Sequence, residues 1–244
     1  MKKMIFPILL IACCNAVTAQ QKDEAEQKNI VKINLFALAL KNVSVQYERA
    51  VGKRVSVAGL IRLMPKTGIP FKNSIKNAVN DPDTEKQIDN TRVGNFAFTP
   101  EIRYYVGRKG ALHGFYIACF STIASYTAEL PYQYTDAGTT KTIPMSGKVT
   151  TITGGIMFGS QWKLGNRVSL DLWILGPNYG SSNGKLSGQT ALTPSEQTSL
   201  KKEFDDLNLP FTKTSYHVNS TGATLFVKGP WAGIRSGLCI GFAF

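Results

Sequence analysis

From Ile30 to the last residue, apolar residues alternate with small or polar ones, segment after segment, with the period of two that belongs to β-strands. The pattern predicts eight strands, over residues 31–40, 43–51, 54–64, 96–107, 114–130, 149–164, 167–176 and 229–244. Several split cleanly into two faces. Val43, Val45, Tyr47 and Val51 oppose Ser44, Gln46 and Glu48 in the second, and Phe96, Phe98, Ile102, Tyr104 and Val106 oppose Thr99, Glu101, Arg103 and Tyr105 in the fourth. In the seventh, Val168, Leu170, Leu172 and Ile174 oppose Ser169 and Asp171, and in the eighth Ile234, Leu238, Ile240, Phe242 and Phe244 oppose Arg235, Gly237, Cys239, Gly241 and Ala243. A soluble sandwich alternates in the same way between core and water. Its water-facing side is long and charged, whereas the polar side here is mostly Gly, Ala, Ser and Thr, which suits the crowded interior of a narrow barrel.

The connections between these segments fall into two classes. Starting the first strand in the periplasm, the turns at Gly52-Lys53, at residues 108–113 and at Gly165-Asn166 are short and share one side. On the other side lie the tight Lys41-Asn42 turn and stretches of about 31 residues (65–95), about 18 (131–148) and about 52 (177–228). Short periplasmic turns and long outer loops are the habit of outer-membrane barrels. The long stretches are rich in Asn, Asp, Thr, Ser, Lys, Gly and Pro, the composition of solvated chain. The last contains a helix signal: Thr193 with Glu196 makes a capping box, Pro194 takes the first helical position, and Leu200, Phe204 and Leu207 share a face before Pro210 stops the run. This predicts a short amphipathic helix folded over a barrel rim.

At the other end of the chain, Lys2 and Lys3 precede an apolar run to Ala12, and Val17-Thr18-Ala19 offers a small-residue cleavage site. That is the form of a secretory signal peptide, with Gln20 as the mature N-terminus; the run is too short for a spanning helix. A rival stays open: Leu10-Ile11-Ala12-Cys13 resembles a lipobox, which would make Cys13 the lipidated first residue. Export strips Cys13 and Cys14 and leaves Cys119 and Cys239, expected to stay unbridged on strands that are not neighbours; they form neither a disulfide framework nor a zinc site. The formal charge of +12 falls to +10 without Lys2 and Lys3. Export and the scatter of the basic residues exclude nucleic acid, so outer-membrane lipid and lipopolysaccharide are the expected electrostatic partners.

Residues 32–64, with Val45-Gln46-Tyr47-Glu48-Arg49 and then Pro65, together with Phe98-Thr99-Pro100-Glu101-Ile102-Arg103-Tyr104-Tyr105 and Gly114-Phe115-Tyr116, resemble an uncharacterised family of short outer-membrane β-barrel proteins. In architecture the mature chain looks like the eight-stranded OmpA/OmpX-type barrels. Ile240, Phe242 and Phe244 are similar to the signal by which such chains are recognised by the barrel assembly machinery, which the resemblance adds as a partner during biogenesis. The resemblance implies a fold and a location and names no ligand.

The expected fold class is therefore all-β: an eight-stranded antiparallel up-and-down transmembrane barrel with long outer loops and one loop helix. Residues 1–19 are the signal peptide, 20–29 a periplasmic segment and 30–244 the barrel. Lys32, Glu48, Arg62, Glu101, Arg103, Lys163, Asp171 and Arg235 all fall on inward faces. Buried charges are costly unless paired, so these eight are expected to form a lumen network that plugs the barrel. Neither histidine sits in a catalytic spacing. His217 lies near Ser215, with Asp205 and Asp206 a little before it, and loosely resembles outer-membrane lipid acyltransferases; the expectation is a protein that is not an enzyme and uses no metal or cofactor. Its role would be structural, adhesive or accessory, with a further envelope protein as a partner through the outer loops. Two alternatives remain: a secreted or lipid-anchored β-sandwich or lipocalin-like binder of a small apolar ligand, and an outer-membrane lipid-modifying enzyme.

Overall fold

The alternating segments become nine antiparallel strands of one sheet: β1 (Asn29–Asn34), β2 (Val43–Ala50), β3 (Val55–Gly68), β4 (Arg92–Tyr105), β5 (Gly114–Asp136), β6 (Thr139–Leu164), β7 (Val168–Gln189), β8 (Lys213–Asn219) and β9 (Gly222–Ala243). The computed structural model describes residues 27–79, 82–207 and 211–244; the signal segment, Cys13 and Pro210 fall outside them. Strands β1 to β7 pair in chain order, β7 pairs with β9, and β9 returns to β1, so eight strands close a ring. The closure matches Ile30 with Ala243 and Asn34 with Cys239. β8 stands outside the ring, paired only with the first residues of β9. Among the described residues no helix is long and apolar enough to cross a membrane.

Four expectations about the elements need correction. The first strand stops at Asn34 instead of running to residue 40, and a short helix, α1 (Leu35–Ala39), takes its place. Ala and Leu favour helix, and the Asn34 side chain caps the turn by accepting from the Ala37 N–H at 3.2 Å. The supposed loop 131–148 is strand almost throughout: β5 and β6 stay in register to Asp136 and Thr139, with Ala137-Gly138 as the turn, both at positive φ as tight hairpins require. Pro131 and Pro144, which read as loop, face each other across the ladder, while Tyr134, Ile143 and Met145 bury on one face. Stretch 65–95 holds two helices, α2 (Lys72–Val79) and α3 (Pro82–Asn90), and stretch 177–228 is largely β7, a helix, β8 and β9.

That helix, α4 (Pro194–Asp205), has the expected cap, with Thr193 and Glu196 bonding reciprocally and Pro194 in the first turn. Leu200 and Phe204 are fully buried against Tyr134, Ile143, Leu192, Val218 and Leu225, with Leu207 packed alongside. The sheet thus continues past the closed ring into a second apolar core, and α4 covers it. Polar contacts fasten the helix start: Lys141 Nζ lies 2.9 Å from both Asp136 and Glu196, and Ser195 and Ser199 donate to Asp136. Lys141, with the Thr193 backbone N–H behind it, pulls the Glu196 carboxyl from its ordinary 4.5 down to about 2. A carboxyl depressed in the folded state contributes stability fully above its unfolded value, lost as pH falls through the folded one. Amide-exchange protection around Leu200 is therefore expected to fall between pH 4.5 and 2, and Glu196→Gln to flatten that decline; an unchanged slope in the variant would remove Glu196 as its cause.

Candidate functional site

Every strand of the ring sends side chains inward at one level. Asp171 on β7 is the hub: Lys32 Nζ from β1 and Arg103 Nη1 from β4 each lie 2.6 Å from its Oδ2, the Tyr116 hydroxyl donates to Oδ1 at 2.8 Å, and the Trp173 indole N–H reaches Oδ2 at 3.1 Å. Glu48 on β2 pairs with Lys32, accepts from Ser56 of β3 and from the Tyr105 hydroxyl at 2.6 Å, and lies 3.2 Å from Arg103. Glu101 is held by Arg103 Nε at 2.5 Å and, from across the ring, by Arg235 Nη1 at 2.6 Å. Gln46 accepts from Arg103 Nη2 at 2.9 Å, and Gln161 of β6 accepts from Lys32 at 2.8 Å. The cations also stack: the Arg103 guanidinium lies 4.4 Å from the Tyr116 ring centre, and that of Arg235 lies 4.1 Å from Trp173.

Lys32, Glu48, Arg103 and Asp171 are wholly buried at the side chain. Isolated charges there would be prohibitively costly, and pairing each with opposite charge and hydroxyl donors is the arrangement that makes them tolerable. Because Lys32–Asp171, Arg103–Asp171 and Arg235–Glu101 join strands that are not neighbours, the network laces the ring across its diameter. Room for it comes from Gly159, where a β-carbon would overlap the Tyr116 hydroxyl.

Of the eight charged residues expected inside, the structure brings six together: Lys32, Glu48, Glu101, Arg103, Asp171 and Arg235. Lys163 does not join. It is exposed at the ring's short-turn end beside Lys53, Arg54 and Arg108, where the alternation still points inward but the ring has opened to water. Arg62 sits higher, bonded to Asn95 at 2.8 Å and close to the Tyr126 hydroxyl. Gln46, Ser56, Tyr105, Tyr116, Gln161 and Trp173 are members that charge alone could not reveal. Gln46, Tyr105 and Trp173 each stand two residues from a charged member, so the strand period was the signal available.

Ile240 and Phe242 lie on the outward face of β9 and Phe244, just past its end, is also exposed, with Ala243 inward and buried. Cys119 and Cys239 are both free thiols. His217 and Ser215 are on β8, and Asp205 accepts a bond from the Tyr216 hydroxyl at 2.7 Å. Among the described residues no three His, Cys, Asp or Glu side chains group so as to hold a metal ion.

Among solved structures the chain is similar to the translocator domain of the autotransporter NalP from Neisseria meningitidis, at 9% identity and a TM-score of 0.36, over 98% of this chain and 96% of that one. No curated protein matches it. A family model matches residues 5–183, well over half of the chain, and on that match the protein belongs to the family described as "Protein of unknown function (DUF3575)".

Proposed function

We propose that this protein is an outer-membrane β-barrel of the small, OmpA/OmpX-like kind, plugged by its internal ion network and serving the envelope as a structural, adhesive or accessory protein, without catalysis. The observation that carries the reading is an inverted distribution of polarity. The inside of the ring holds lysine, arginine and carboxylates, while Val31, Val45, Ile61, Phe98, Ile102, Ile117, Ile123, Ile152, Ile156 and Ile240 stand exposed outside. A water-soluble protein does the reverse, and exposed apolar surface on this scale marks an interaction with something apolar. Along β4 and the residue after it the exposed row runs from Phe96 to Val106. Ten strand steps cover about 33 Å, or about 25 Å along the axis at a tilt of about 40°, the height of the apolar band on outer-membrane barrels. Tyr47, Tyr104, Phe115, Trp162 and Phe242 gather at the short-turn end, where an aromatic girdle would meet the headgroups.

In this reading the short turns face the periplasm, and the α4-capped extension faces outward and offers lipopolysaccharide or an envelope protein a broad surface. Export through a cleaved signal peptide and insertion by the barrel assembly machinery belong to the same proposal. The protein is expected to sediment with the outer membrane and to run faster unboiled than boiled on a detergent gel, because a sheet that closes on itself through β1 and β9 resists unravelling. Recovery in the soluble periplasm, or identical mobility in both lanes, would sink it.

A further inference from the structure

Above the ion network the ring is hollow. A cavity of about 350 Å³ is bounded there by Arg62, Arg235, Phe120, Tyr126, Trp173 and Trp231, among others. One side of its wall is not sheet. β9 spans Gly222–Ala243, yet on its β1 flank it is paired only at residues 239–243, with β1, and at residues 222–228, with β8. On that flank residues 229–238 have no strand beside them, while β7 pairs with β9 on the other. β1 ends at Asn34, and α1 fills the place of its missing half without forming a ladder. Phe36 and Ile234, both more than half exposed, border the cavity from the two sides of this seam. The gap in the ladder offers the cavity a sideways way out between Phe36 and Ile234, with Asn34, Asn42 and Ser236 also on its lining, and unladdered backbone at membrane depth is tolerated where it lines such a cavity.

The interior is also one negative charge short. Lys32, Arg62, Arg103 and Arg235 face Glu48, Glu101 and Asp171. Arg62 has no carboxylate within ion-pair reach among the described residues, only Asn95 and Tyr126. Arg235 spends Nη1 on Glu101, while its Nε and Nη2 are buried without a hydrogen-bond partner. Buried guanidinium N–H groups left unpaired are expensive, and a single carboxylate supplies both the missing charge and the missing acceptors.

Resting on the membrane reading above, we propose that the cavity binds a long-chain fatty carboxylate, with its head on Arg62 and Arg235 and its alkyl chain leaving through the seam between α1 and β9 into the bilayer. The net excess of one positive charge selects a monoanion, the aromatic walls take the first methylenes, and the apolar seam requires a chain.

The test uses the protein refolded into zwitterionic vesicles with Trp162→Phe, so that Trp173 and Trp231 at the cavity are the remaining fluorophores. 2-Bromohexadecanoate, with its heavy atom next to the carboxylate, is expected to quench them saturably, and palmitate to reverse the quenching. Hexadecanol, which lacks the charge, and butyrate, which lacks the chain, should each compete at least tenfold more weakly. Arg62→Gln should weaken binding at least tenfold, and Ala37→Phe, which narrows the mouth, should slow or abolish it.

Equal competition by hexadecanol or by butyrate would overturn the proposal, as would competition by phosphatidylglycerol as strong as palmitate's, since the occupant would then be a two-chain lipid. Absence of quenching in protein that inserts and still shifts on heating defeats this inference alone. Failure to insert into vesicles defeats the membrane reading, and this inference with it.

Discussion

Arg103→Met is expected to be the most damaging single substitution in the ring. Methionine matches much of the length of the side chain but removes the cation that touches Glu48, Glu101 and Asp171 together. Lys32 still touches Glu48 and Asp171 and Arg235 still holds Glu101, but two cations then face three buried carboxylates, so one negative charge is left uncompensated. Breaking a buried pair by removing one partner costs about 3–5 kcal/mol, a large part of the roughly 5–15 kcal/mol that holds a domain folded. Urea unfolding of the vesicle-inserted protein, followed by the boiled-to-unboiled band shift, measures this directly. The double variant Arg103→Met, Asp171→Asn, which removes a matching negative charge, should recover part of the loss. A cost below about 1 kcal/mol for the single variant would mean that water or rearrangement relieves the carboxylates, and the network would no longer count as a dry plug.

Ile156→Arg is expected to have the second largest effect, and it separates membrane from water by magnitude. Ile156 lies on the outward face of β6 between Ile152 and Phe158, about half exposed. In water, arginine at such a position changes stability by no more than about 0.5 kcal/mol. At the midplane of a bilayer it costs about 2–4 kcal/mol. The same measurement on Thr150→Arg, near the rim of the belt, should show a smaller loss, because the penalty falls toward the interface. If both substitutions are neutral in vesicles, the apolar belt does not face lipid.

Much of this was legible one residue at a time. The period of two located seven of the strands, because side-chain alternation is a local property of an extended chain whatever it later pairs with, though it cut β5, β6, β7 and β9 short by six to thirteen residues at their outer ends. The cap of α4 was equally local: Thr193, Pro194 and Glu196 satisfy one another within a single turn. The extension of β5 and β6 was visible in Tyr132, Tyr134, Ile143 and Met145, but two prolines argued for loop. Only their meeting across the ladder, far from the belt, made them compatible with strand.

Alternation told which residues face inward and therefore nominated Glu48, Glu101, Arg103 and Asp171, but it says nothing of height or of partners across a lumen. Lys163 and Asp171 have the same inward address in sequence; closure of the ring puts one in water and the other at the centre of the ion network. Likewise, a five-residue stretch such as Leu35–Ala39 is far too short to be a stable helix by itself. Packing against β9 decided that it would be helix, and so opened the seam. What the sequence by itself determined was the strand content, the two faces and the capped helix, since these follow from neighbours two to four residues apart. Which charges meet, where the lumen is left hollow and where the wall is left unladdered were decided by the tertiary structure, because each depends on ring closure bringing together residues as distant as Lys32 and Asp171.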